Sequence, residues 1–113
     1  MGATNFDNLA VGRYKNASDA YNDLVEDAEY EHGHDAYNGT ISTTQGFNIL
    51  KDNPRYGTKS FDSWEDKITD SIDKYDCCCV EITGAVLKRL KEKRGYKGKK
   101  NIKAFYFFGL ASC

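Results

Sequence analysis

A chain of 113 residues with 40% hydrophobic side chains, eight Tyr, six Phe and one Trp has the length of one domain and enough apolar material for a modest core. Its longest apolar run, Ala104 to Leu110, is of strand length and excludes a membrane-spanning helix there. The formal charge of -1 conceals an asymmetry: residues 1–76 carry 15 acidic and 7 basic side chains, a net -8, whereas residues 77–113 carry 2 acidic and 9 basic, a net +7. Such a split points to two opposite electrostatic surfaces.

The N-terminal stretch MGATNFDNLAVGRY has no basic start followed by an apolar run, so no secretory signal is expected. Gly2 is followed at position 6 by Phe where a myristoylation motif wants Ser or Thr. A soluble, cytoplasmic protein without membrane attachment is the expectation. The first predicted element is a helix over roughly residues 18–32. Ser18 is its expected N-cap and Gly33 its stop, with Ala20, Tyr21, Leu24, Val25 and Ala28 at helical spacing. Its opposite face carries Asp23, Glu26, Asp27, Glu29 and Glu31.

Asn38-Gly39 is a turn pair, and Thr40 to Thr44 is a β-branched run that predicts a strand. Residues 45–60 are turn-rich, with a short strand expected at Phe47 to Leu50. Ser60 or Ser63 then caps a second helix, with Phe61, Trp64, Ile68, Ile72 and Tyr75 on one face and Asp62, Glu65, Asp66, Asp70 and Asp73 outside. Cys77 to Thr83 reads as a strand, and Thr83 caps a third helix that turns Val86, Leu87 and Leu90 inward and stops at Gly95. That helix and the loop after it carry Lys88, Arg89, Lys91, Lys93, Arg94, Lys97, Lys99 and Lys100. Ile102 to Gly109 is a last strand, apolar on both faces in its second half, which predicts a central place with both sides covered.

The expected fold is α+β, or a small α/β: one domain with a mixed sheet of three to five strands packed by two or three helices. The last three elements have the length of a βαβ crossover, which would make their two strands parallel.

Five constellations are candidates for chemistry. His32, His34 and Asp35 are ligand types suited to zinc, but their spacing at a helix end favours a helix stop and a turn. Cys77, Cys78 and Cys79 lack the paired spacing of a zinc site. With Cys113 they make no disulfide framework, so packing of reduced thiols is the favoured reading. Thr40, Ser42, Thr43 and Thr44 beside Tyr37 could line a ligand or nucleotide pocket, although no glycine-rich phosphate motif is present. The basic segment 88–103, with Lys88, Arg89, Lys91, Lys97, Lys99 and Lys100, has the charges to meet nucleic-acid phosphates. Finally, the acidic helix faces can complement a basic protein surface. No cofactor and no catalytic residue is indicated.

The stretch EYEHGHDAYNGTISTT, together with the ending KAFYFFGLAS, resembles small uncharacterised proteins of bacteriophages and related mobile elements. Proteins of this kind include inhibitors of bacterial defence such as anti-CRISPR proteins. The resemblance implies a host-directed inhibitor acting on a bacterial protein, a defence effector or a nucleic-acid enzyme. The leading expectation is therefore a docking protein using either its acidic helices, with Asp62, Glu65, Asp66 and Asp70, or its basic 88–103 face, with exposed tyrosines as anchors and His34, Asp35 and Tyr37 as a further contact patch. The alternatives are a nucleic-acid-binding accessory protein using the basic 88–103 face, and a small ligand- or metal-binding protein centred on residues 32–44.

Overall fold

The computed structural model describes residues 3–32, 40–73 and 75–112. Four strands, β1 (Ala3–Gly12), β2 (Asn48–Ile49), β3 (Cys77–Ile82) and β4 (Lys103–Ser112), form one mixed sheet in the order β1-β4-β3-β2. Three helices, α1 (Ala17–His32), α2 (Lys59–Ser71) and α3 (Gly84–Lys93), cover it. This is the α+β architecture that the sequence predicts.

β4 lies inside the sheet because it is apolar on both faces. Phe105 and Phe107 point to one side, where Ala10, Cys77 and Cys79 join them beneath Ala17, Ala20, Tyr21, Leu24, Val25 and Ala28 of α1. Tyr106 and Phe108 point to the other, with Cys78, Val80 and Ile82, under Phe61, Trp64 and Ile68 of α2 and Val86, Leu87 and Leu90 of α3. The period-2 alternation of a strand thus distributes the three consecutive cysteines over two cores. No helix among the described residues is long and apolar enough to cross a membrane.

The structure differs from the sequence expectation at several points. Residues 3–12 form a strand paired along its whole length with β4, antiparallel, from Ala3↔Ser112 to Gly12↔Lys103. Asn5, Asp7 and Asn8 make it a poor strand by propensity, and it is the long partner strand that organises it. Thr40 to Thr44 is not a strand: Ile41–Thr43 is a single 3₁₀ turn. Its hydroxyls turn back on the backbone, Thr43 Oγ1 donating to the Thr40 carbonyl (2.9 Å) and Thr44 Oγ1 to that of Ile41 (2.6 Å). Such local bonds compete directly with a ladder.

The predicted caps move too. Asn16, not Ser18, caps α1 by accepting from the Asp19 amide (3.0 Å), while Asp19 accepts in return from the Lys15 amide (3.1 Å). Thr58 rather than Ser60 or Ser63 caps α2, accepting from the Phe61 amide at 3.2 Å. Tyr75 is not part of that helix, which ends at Ser71. Lastly, β3 and β4 are antiparallel, with Ile82 opposite Ala104. α3 and the loop after it leave and return at one end of the sheet, through left-handed glycines at Gly95 (φ 79°) and Gly98 (φ 74°). The parallel crossover is instead β2–α2–β3, with Asn48 opposite Cys78.

Candidate functional site

The polar feature on the α2 side of the sheet is built around Tyr106. A phenol on a central strand carries a hydroxyl that must find a partner once its ring is buried. The Tyr106 ring packs against Tyr56 (centroids 5.1 Å apart), Phe61 (5.7 Å) and Phe108 (5.7 Å). Its hydroxyl lies 2.8 Å from Glu65 Oε2 on α2 and 3.1 Å from Asp7 Oδ2 on β1. Asp7 reaches it because β1 alternates: Asp7 lies on the same face as Leu9 and Val11, which pack in the α2-side core.

These groups line a cleft of about 360 Å³, with Asp7, Asp62 and Glu65 as its carboxylates and Tyr56, Phe61 and Tyr106 as its aromatic floor. Among the described residues no basic side chain lines it. The electrostatics follow. Burial pushes the Glu65 carboxyl above the ordinary carboxylate range; the charges of Asp7, Asp62 and Asp66 add to this, and the hydrogen bond from Tyr106 opposes it. Burial, then the contact with Glu65, holds the Tyr106 hydroxyl far above its usual range, so it keeps its proton. Tyr56 is raised by burial and by Asp7 and Glu65, with Arg94 acting in the opposite sense.

A hydroxyl has one hydrogen, so it donates to one of the two carboxylates at a time. The other oxygen pair is relieved when a carboxyl carries a proton or when a cation enters the cleft. A folded-state pKa above the unfolded value means that the folded protein binds that proton more tightly. Stability then falls as pH rises from the ordinary carboxylate range through the raised Glu65 value, and the loss is complete above it. Glu65→Gln is therefore expected to melt at a higher temperature than the unaltered chain near pH 7, with the difference shrinking toward about pH 4. Thermal melts at the two pH values check this; an equal difference at both would remove ionisation from the account.

Of the residues expected to dock a partner, Asp62 and Glu65 line the cleft, and Asp66 and Asp70 are exposed farther along α2. His34, Asp35 and Tyr37 lie outside the described residues, as does the side chain of His32. Thr44 of the hydroxyl run is held against Tyr21, oxygen to oxygen at 2.6 Å. The acidic stripe of α1 lies across the sheet from α2. Lys88, Arg89, Lys97, Lys99 and Lys100 are exposed, and Lys91 is half-buried.

Asp7, Tyr56 and Tyr106 are the cleft residues that the sequence reading misses. A tyrosine in an otherwise Phe-rich central strand is the one local signal that a polar partner waits there. Among the described residues no group of His, Cys, Asp and Glu is placed to hold a metal ion. Cys77, Cys78 and Cys79 are buried. Burial raises all three thiols, that of Cys79 to about 12, so they are packing groups and not thiolates at neutral pH. No family model matches the chain, and neither does a curated protein or a solved structure.

Proposed function

We propose that the chain is a non-catalytic docking protein whose α2 cleft receives a basic surface of a bacterial protein, in the manner of a phage-encoded inhibitor of host defence. The observation that carries the reading is the convergence of Asp7, Asp62 and Glu65 over the rings of Tyr56 and Tyr106 in one concave space, with no basic side chain in its lining among the described residues. A lysine or arginine side chain suits that space twice: the carboxylates give charge-assisted hydrogen bonds, and the rings give a cation–π floor. Asp66 and Asp70 extend the negative field along the helix and would steer such a partner before contact. The phage-type resemblance of residues 29–44 and 103–112 supports the choice of a bacterial partner.

The test is capture from bacterial lysate on the immobilised protein, identified by mass spectrometry and repeated at raised salt. The exposed pair Asp62→Lys/Asp66→Lys is expected to reduce the captured partner at least tenfold, about 1.4 kcal/mol, within the range of a charge contact at an interface. Retention that is unchanged by both salt and charge reversal would sink the reading.

A further inference from the structure

The opposite charge is gathered at the other end of β1. The Gly12↔Lys103 pairing sets the segment leaving β1 beside the segment that begins β4. Arg13, Tyr14 and Lys15 follow Gly12, and Asn101 precedes Lys103. These five residues line an open cleft of about 430 Å³. Three of the five are cationic and none is acidic.

Several contacts give the cleft a defined shape. Lys103 Nζ donates to the Lys15 carbonyl at 3.0 Å and keeps two further N–H donors. Tyr14 is pinned by its hydroxyl, which donates to Asp23 Oδ2 at 2.9 Å, so its half-buried ring forms a wall. Asn101 turns the chain in the left-handed region (φ 63°), which asparagine tolerates. Two carboxylates beside the cleft each accept a hydrogen bond, Asp23 from Tyr14 and Asp19 from the Lys15 amide. Arg13 and Lys15 remain exposed. The loop that delivers the chain to Asn101 carries exposed Lys97, Lys99 and Lys100, so the cationic line continues beyond the cleft.

We propose that this cleft binds the phosphodiester backbone of single-stranded nucleic acid, with Arg13, Lys15 and Lys103 on phosphate and the Tyr14 ring beside an unpaired base. A free phosphate would use the cleft alone, whereas a strand also engages the loop lysines, which is why the extended polyanion is the ligand assigned. An aromatic wall next to cations is the combination that holds single strands without reading sequence. A duplex keeps its bases stacked and offers nothing to that ring. The site is separate from the α2 cleft and does not depend on it.

Fluorescence anisotropy with a labelled single strand of roughly 20 nucleotides, longer than the site of a small domain, tests the assignment. Binding is expected at about 50 mM salt and should weaken about 20- to 300-fold by about 200 mM, as three to six neutralised phosphates require. Arg13→Glu/Lys15→Glu should weaken it at least tenfold, with an unchanged far-UV circular dichroism spectrum. Lys88→Glu/Arg89→Glu, on α3, should change it less than about threefold, since that pair supplies field rather than contact. The milder Arg13→Gln/Lys15→Gln variant repeats the measurement should charge reversal disturb the fold. Absence of binding at low salt overturns the proposal. So does an equal loss from the α3 pair, an equal affinity for a duplex, or equal competition by polyglutamate and inorganic phosphate.

Discussion

Gly109→Ala is expected to destabilise the chain by about 3 kcal/mol or more. Gly109 sits in β4 between Phe6 of β1 and Cys77 of β3. A Cβ there would run into the carbonyl oxygen of Asp76 and come within 3.2 Å of Cys77 Cα. Both obstacles are backbone and neither can swing away. The Tyr75 amide donates to the Leu110 carbonyl (3.0 Å) and the Leu110 amide to the Asp76 carbonyl (3.3 Å), so the same two segments are tied on either side of the clash. Relief requires β3 and β4 to part, at a cost of about 3 kcal/mol or more, a large share of the 5–15 kcal/mol by which a domain is stable. Gly95→Ala is the useful contrast. Its φ of 79° is unfavourable for alanine, but nothing lies within 4 Å of the added carbon, so the loss should be confined to about 1–2 kcal/mol. Urea denaturation of both variants separates a steric block from a conformational preference; a Gly109→Ala midpoint equal to that of the unaltered chain would contradict the packing described.

Phe107→Ala should cost about 3–5 kcal/mol, the range for removing a fully buried ring. Phe107 is wholly enclosed beneath α1. Its ring meets Phe47 edge-on at 5.5 Å and Tyr21 at 5.8 Å. Tyr21 in turn accepts the Gly46 amide on its hydroxyl (3.0 Å) and bonds to Thr44, so the ring supports the helix and the 44–47 segment together. The void left by alanine would therefore loosen two connections at once. Phe107→Leu keeps part of the volume and should lose less. Thermal melts followed by near-UV circular dichroism check both; a loss of less than about 1 kcal/mol for the alanine variant would mean that the site refills.

What could be read beforehand is what repeats locally. The helix faces showed in i, i+3, i+4 spacing, and the two-sided burial of β4 showed in four consecutive aromatics, Phe105 to Phe108. The alternation of Cys77, Cys78 and Cys79 was legible for the same reason. β1 was not, because Asn5, Asp7 and Asn8 hide its period, and its strand character comes from a partner about a hundred residues away. The direction of β4 could not be read from lengths alone, since a helix and loop of that size can return to either end of a sheet. The carboxylate cleft shares this limit. Glu65 and Asp62 were visible as acids on a helix, but Tyr106 lies 41 positions from Glu65 and 99 from Asp7. The β1–β4 register sets Asp7 near Tyr106, and the packing of α2 on that face brings Glu65 to both. The basic cleft arises in the same way, from pairing Gly12 with Lys103.

The full-length pairing of β1 with β4 has one more result. Asp7 and Arg13 are six residues apart along an extended segment, roughly 20 Å. A nearly neutral molecule thereby carries its negative and positive clefts at fixed stations on one stiff rod. Its monopole is close to nothing, so long-range attraction is weak, yet its dipole survives because the strand cannot fold the two ends together. Near any strongly charged surface such a particle is turned before it touches, and the face it presents is decided by torque during approach.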